Sequence, residues 1–164
     1  MPAPDEYRAA QPTDAPECVE IRGLTRENAL SVALSVARLA AMEITAQSWA
    51  ESIRDNSLPG IVCLSGSKLV GYCFGDRQSG EVVVLAVLPE FENQGIGRAL
   101  LDQLVNELSR EGRARLFLGC SADPGSRSYG FYRYPGWRAT SEYDSHCDEI
   151  IEYHIATDSG LAHR

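Results

Sequence analysis

Apolar positions along the chain follow two spacings, and the change from one to the other divides it. Tyr7-Arg8-Ala9-Ala10 reads as a short first strand ended by Pro12-Thr13-Asp14, where Thr13 or Asp14 is placed to cap a helix running to about Arg22 and stopped by Gly23. Leu30, Leu34, Ala37 and Ala41 recur at helical spacing within residues 27–42, and a second helical piece follows Thr45 to about Asp55. The breaker cluster Asn56-Ser57-Leu58-Pro59-Gly60 then hands over to strands. Ile61–Leu64 and Leu69–Phe74 flank Ser65-Gly66-Ser67-Lys68 as a hairpin, and the β-branched run Glu81–Leu88 predicts a central strand. Leu100, Leu101, Leu104, Val105 and Leu108 line one face of a helix from Gly97 to Arg110, closed by Gly112. Arg115–Gly119 predicts another strand, Ser126–Tyr134 an aromatic helix ended by Pro135-Gly136, and Glu149–Ile155 an alternating last strand. The order is β, two or three helices, β β β, α, β, α, β, β: a mixed α/β chain with a strand–helix–strand unit at its centre.

Composition narrows the classes. At 164 residues, 44% hydrophobic and 23% charged, the chain is expected to form a single domain over residues 1–164 with a core about 7–155 and no need of disulfides or metals. The longest apolar run, Val82 to Leu88, is far short of the roughly 20 residues that span a bilayer. Met1-Pro2-Ala3-Pro4-Asp5-Glu6 lacks a basic region leading into an apolar stretch, so no signal peptide and a cytoplasmic location are expected. The net charge of −8, with Lys68 as the sole lysine, argues against nucleic acid as a partner. Residues 93–138 nevertheless hold seven arginines against four acids, a positive stretch that suits an anionic ligand or simply decorates two helices. Cysteines 18, 63, 73, 120 and 147 show no C-x-x-C spacing, and histidines 146, 154 and 163 no ligand spacing, so no metal is expected. Cys63 and Cys73 read as small buried hydrophobes.

The densest chemical signal is Leu85-Ala86-Val87-Leu88-Pro89-Glu90-Phe91-Glu92-Asn93-Gln94-Gly95-Ile96-Gly97-Arg98-Ala99, where a strand ends, a polar loop follows and two glycines open a helix. A helix N-terminus presents unpaired N–H groups and about half a positive charge, and glycine lets a phosphate approach the backbone. The same two glycines also suit a helix start that merely needs a tight turn. A Walker A loop requires Gly-Lys-Ser/Thr, which is absent. A dinucleotide fingerprint requires a third Gly or Ala where Leu100 stands, and an acid near Arg115-Leu116-Phe117-Leu118.

Gln94-x-x-Gly97-x-Ala99, preceded by Leu85-Ala86-Val87 and Pro89, resembles the Q/R-x-x-G-x-G/A signature of the GNAT N-acetyltransferase superfamily. Tyr132-Arg133-Tyr134-Pro135-Gly136-Trp137 is similar to that family's downstream Y-x-x-x-G-F/W segment, and Tyr7 to Ala15 to its first strand and helix start. The resemblance spans residues 7 to 155. It implies a mostly antiparallel, twisted sheet flanked by helices and split around the cofactor. It implies acetyl-CoA as donor and a primary amine as acceptor. By it, the backbone of Gln94, Gly95, Gly97, Arg98 and Ala99 holds the pyrophosphate, with Arg98 adding charge or merely standing exposed. Leu85 and Val87 pair with the pantetheine arm, and the Leu85 N–H steadies the oxyanion.

Aminolysis of a thioester must remove a proton from an amine with a pKa of about 10.4 and supply one to the departing thiolate. By the resemblance Tyr132 is the general acid, with Tyr129 and Tyr134 as aromatic neighbours, and Glu81 stands where the histone-acetylating branch has its general base. His146 or ordered water are alternatives for that base. Ser141 to Glu149 contains four acids and no Lys or Arg, which suits a cationic acceptor or a solvated hairpin tip. Gly125, with Ser126 beside it, departs from the asparagine the family often has before the tyrosine. A covalent route through Cys120 lacks a neighbouring His. The rival class is a GNAT-like module that binds CoA or a protein without turnover. Family members are often homodimers.

Overall fold

A computed structural model describes residues 5–25, 45–110, 115–120, 122–125, 131–132, 136–144 and 147–154. The helix expected over 27–42, the Gly112 stop, most of the helix expected over 126–134, and Tyr129, Tyr134 and His146 lie outside these residues.

The first sheet is the meander β1 (Asp5–Ala9), β2 (Gly60–Ser65), β3 (Lys68–Gly75) and β4 (Val82–Val87), antiparallel throughout and in that spatial order. The turn Gly66-Ser67 joins β2 to β3 with Ser65 opposite Lys68, the expected hairpin. Between β1 and β2 run α1 (Ala15–Thr25) and α2 (Ala46–Arg54). Thr45 caps α2 by accepting the Ser48 N–H at 3.0 Å. Contrary to expectation, α1 continues through Gly23. One interior glycine costs about 1 kcal/mol, too little to end a helix that buries Ala15, Cys18 and Ile21 against the sheet.

Both faces of β3 are covered, which explains its unbroken apolar run. Tyr72 and Phe74 point to the α1/α2 side, where Trp49 packs edge-on against them at 5.3 and 5.2 Å. Gly71 and Gly75 point the other way and let Leu100, Leu104 and Leu108 of α3 (Ile96–Ser109) lie close; a Cβ on Gly75 would stand 3.1 Å from Leu108.

The second sheet has the order β5 (Arg115–Cys120), β7 (Glu149–His154), β6 (Trp137–Tyr143), again antiparallel. The two sheets meet at the start of β4: Glu81 forms a parallel bridge with Phe117, and the Phe117 N–H donates to the Gly80 carbonyl at 3.1 Å. Among the described residues no ladder joins β4 to β5 beyond that point. The sheet is therefore mixed, mostly antiparallel and split, as the resemblance implied. Arg8 and Asp14 tie β1 to the head of α1 through paired bonds of 2.8 and 2.9 Å, and Asp14 also accepts the Gln11 N–H at 2.7 Å.

Candidate active site

The split is built from the edge of β4. Leu88 N–H donates to the Val70 carbonyl at 2.9 Å, and Ala86 stands opposite Tyr72 in register. Bonded positions alternate in an antiparallel ladder, so Ala86 faces β3 while Leu85 and Val87 turn their N–H and C=O groups toward the second sheet. A bulge sets this parity: Gly75 pairs with Val82 and Phe74 with Val84, leaving Val83 extra. Such a bulge bends and twists its strand, at the point where β4 parts from β5.

Beyond β4 the chain makes a 3-10 turn at Pro89–Phe91 and enters α3 through Asn93 and Gly95 at φ of 64° and 82°. Gly95 is the helix N-cap in the left-handed region, where a side chain would be strained. Ala99 N–H donates to the Gly95 carbonyl at 3.0 Å, so Ala99 is already inside the helix ladder. The amides of Ile96 and Gly97, in the turn before it, point out of the helix end. Gln94 and Gly95 are exposed, Gly97 is buried, and Arg98 and Ala99 are half-buried.

Gly97 and Arg98 do more than open the helix. A Cβ on Gly97 would lie 3.2 Å from Cζ of Phe131, so the missing side chain makes room for that ring. Arg98 is not an exposed helix arginine: its Nη2 donates to the Phe131 carbonyl at 3.1 Å and its guanidinium lies 4.9 Å from the ring centroid. Phe131 in turn meets Tyr132 edge-on, centroids 4.8 Å apart. Tyr132 is fully buried, and burial, with the nearby thiols of Cys73 and Cys120, pushes its phenol well above the usual value. Cys73 stands opposite Leu85 in register, so Tyr132, Leu85, Val87 and Gly97 share the α3 face beside the split.

Glu81 is placed apart from this group. It is half-buried at the closed end, its N–H bonded to Ser79 Oγ at 3.1 Å and its carbonyl to the Asp76 N–H at 2.8 Å. Four residues of strand, about 13 Å, separate it from Leu85. Burial holds the Cys73 thiol protonated, well above its ordinary pKa, and Cys120 is buried at the end of β5.

The described residues of the acidic segment lie at the facing ends of β6 and β7. Asp144 and Asp148 close it on each other, with the Asp148 N–H 3.0 Å from Asp144 Oδ1. Glu149 is buried and accepts the Ser141 N–H at 3.1 Å. Two of its four acids, Asp144 and Glu149, thus hold backbone in place. The tip leans over β5: a Cβ on Gly119 would lie 2.9 Å from Asp144 Oδ2.

Sequence reasoning missed a second acidic surface. A cleft of about 380 Å³ lies at the C-terminal end of β4, floored by Ile21, Leu69, Leu88 and Pro89 and rimmed by Glu17, Glu20, Glu90 and Lys68. Its acids come from a helix face and a loop far apart in sequence. Glu17 and Glu20 alone read as an ordinary solvated helix face, so nothing local marks them.

The model of the acetyltransferase (GNAT) family matches residues 27–137, more than half of the chain. The chain belongs to the GNAT acetyltransferase family. Solved structures similar to this GNAT chain include the PaiA N-acetyltransferase of Thermoplasma acidophilum, in complex with coenzyme A (15% identity, 93% of this chain and 100% of that one, TM-score 0.70). YncA of Salmonella typhimurium, solved with acetyl-CoA, aligns with a TM-score of 0.73 at 17% identity over 94% of this chain and 96% of its own. The ribosomal-protein-S18-alanine N-acetyltransferase of Escherichia coli aligns with a TM-score of 0.64 at 20% identity over 94% and 96%. At these identities the likeness speaks for the GNAT fold. No curated protein matches the sequence. Among the described residues no helix is long and apolar enough to cross a membrane.

Proposed function

We propose that this GNAT acetyltransferase, one domain over the whole chain, moves the acetyl group of acetyl-CoA onto a cationic primary amine by direct attack. The observation that carries the reading is the open edge of β4, whose Leu85 and Val87 amides face the split beside the N-terminus of α3. An extended amide chain ending in a pyrophosphate fits that pair of features: strand-edge groups for the amides, helix-end N–H groups for the phosphates. The coenzyme A and acetyl-CoA in two structures of the same fold support this donor.

Acetyl-CoA supplies the activated thioester. The Val87 backbone and the Leu85 carbonyl hold the pantetheine arm in place of a strand partner. The Gln94–Gly95 loop and the first-turn amides of α3, with the helix dipole behind them, hold the pyrophosphate. The Leu85 N–H bonds the acetyl oxygen and favours the negative charge that gathers there as the amine nitrogen attacks. Tyr132, kept protonated by burial, gives its proton to the sulfur as the C–S bond breaks, and the second proton shed by the new amide nitrogen restores the phenol. Glu81 stands too far along the strand for direct contact and draws the amine proton through water. The cleft at the far end of β4, where Glu17, Glu20 and Glu90 outnumber Lys68 around an apolar floor, lies about 10 Å of strand beyond Leu85 and suits a second cationic group carried on the acceptor's apolar body.

Tyr132→Phe tests the reading. Thiol release with an amine panel is expected to fall well over tenfold in kcat, with acetyl-CoA affinity changed by less than about twofold. An unchanged kcat removes Tyr132 from the chemistry. Tight CoA binding with no thiol release from any amine refutes transfer and leaves a binding module.

A further inference from the structure

We propose that Arg98 is a positioning residue for Tyr132, acting through Phe131 rather than as a phosphate ligand. This rests on Tyr132 being the general acid. The contacts form one continuous chain. Arg98 sits in the first turn of α3, and its guanidinium both donates to the Phe131 carbonyl at 3.1 Å and lies over the Phe131 ring, 4.9 Å from its centroid. The backbone of Gly97 admits the same ring, whose Cζ would be 3.2 Å from a Cβ there. Phe131 thus meets two consecutive residues of the helix start. Its ring then meets the fully buried Tyr132 edge-on at 4.8 Å and 84°.

A planar fork is needed for this task. The guanidinium spreads its charge over the ring while Nη2 donates to the carbonyl, and a lysine ammonium, a single point charge, does not match both at once. A phosphate, by contrast, accepts lysine as a point charge. The two roles therefore separate on a conservative substitution. The arrangement also makes the helix start serve twice: its outward amides meet the anion, and the side chain between them and the ladder fixes the acid.

The experiment compares Arg98→Ala, Arg98→Lys, Tyr132→Phe and the Arg98→Ala/Tyr132→Phe double variant. It reads CoA affinity by calorimetry, kcat by thiol release, and the Tyr132 resonance in protein labelled with ζ-13C tyrosine. Arg98→Ala is expected to lower kcat about tenfold or more, to leave CoA affinity within about threefold, and to shift or broaden the Tyr132 resonance. Arg98→Lys should restore little of the kcat, and in the Tyr132→Phe background the loss of Arg98 should cost no further rate. The proposal is overturned if Arg98→Ala weakens CoA about tenfold and Arg98→Lys recovers it with the Tyr132 resonance unmoved. It is equally overturned if the two kcat losses multiply. Should Tyr132→Phe keep the native kcat, the acid assignment fails by itself, and the resonance decides the positioning: moved by Arg98→Ala it stands, unmoved it falls.

Discussion

Gly97→Ala places one methyl group at the most crowded point of the site, and two opposing terms set the outcome. The new Cβ would lie 3.2 Å from Phe131 Cζ and 3.4 Å from Cε1, so the ring must retreat by a few tenths of an ångström. Overpacking of this kind costs about 1–3 kcal/mol. Alanine is favoured over glycine inside a helix by about 1 kcal/mol, and Gly97 lies in the first turn of α3 with no left-handed φ. The net destabilisation is about 0–2 kcal/mol, or roughly 0–8 °C in Tm for a chain of this length. Catalysis has no such offset. A 1 Å misplacement costs about 100-fold in rate, so pushing Phe131, and Tyr132 with it, by a few tenths of an ångström should lower kcat about three- to tenfold. Thermal unfolding, CoA titration and thiol-release kinetics on one preparation separate these effects. A native kcat would refute the coupling from Gly97 through Phe131 to the phenol. A native kcat accompanied by CoA binding weakened about tenfold would assign Gly97 to phosphate approach alone.

Three further outcomes follow from the same geometry. Asp14→Asn should cost about 2–3 kcal/mol at neutral pH by urea unfolding, below the 3–5 kcal/mol of a fully buried pair because Arg8 is part-exposed. Burial pushes the Asp14 carboxyl upward, but the Arg8 hydrogen bonds, the Gln11 N–H and the Arg8 charge outweigh it and depress its pKa. The stability it contributes is therefore present above the unfolded value of about 3.9 and lost as pH falls through the folded value. The gap between native and variant should narrow below about pH 4, and a constant gap would exclude the ion pair as its source. Because the phenol is pushed up, kcat should show no descending alkaline limb below about pH 9.5; a limb near pH 8 that vanishes in Tyr132→Phe would contradict this. Glu17→Gln/Glu20→Gln should raise the KM of cationic amines about tenfold, about 1.4 kcal/mol, without moving acetyl-CoA affinity, and an unchanged KM would exclude this cleft as the acceptor's.

What the sequence revealed is what local chemistry dictates. The helix that follows Thr45, the Gly66-Ser67 turn and the apolar face of Leu100, Leu104 and Leu108 follow from short-range spacing. The loop from Gln94 to Ala99 was equally visible, because a helix that begins on glycines after a strand is a local pattern. Tertiary facts were not. Val82, Val83 and Val84 look interchangeable, yet the bulge at Val83 decides which amides of β4 face the split. Arg98 and Phe131 lie 33 residues apart, so their contact left no mark in either neighbourhood. Gly23 reads as a stop and is overridden by packing. Glu149 reads as part of a solvated acidic tip, whereas pairing with Ser141 allows its burial.

We propose that an amide chain from acetyl-CoA takes the place of a strand along the edge of β4. Amide hydrogen exchange across Leu85, Ala86 and Val87, measured by NMR with and without acetyl-CoA, tests it at the residues concerned. Leu85 and Val87 are expected to gain protection of about tenfold or more on binding, while Ala86, already bonded to β3, changes little. Equal protection of all three, or protection of Ala86 alone, would contradict the parity on which the site is built.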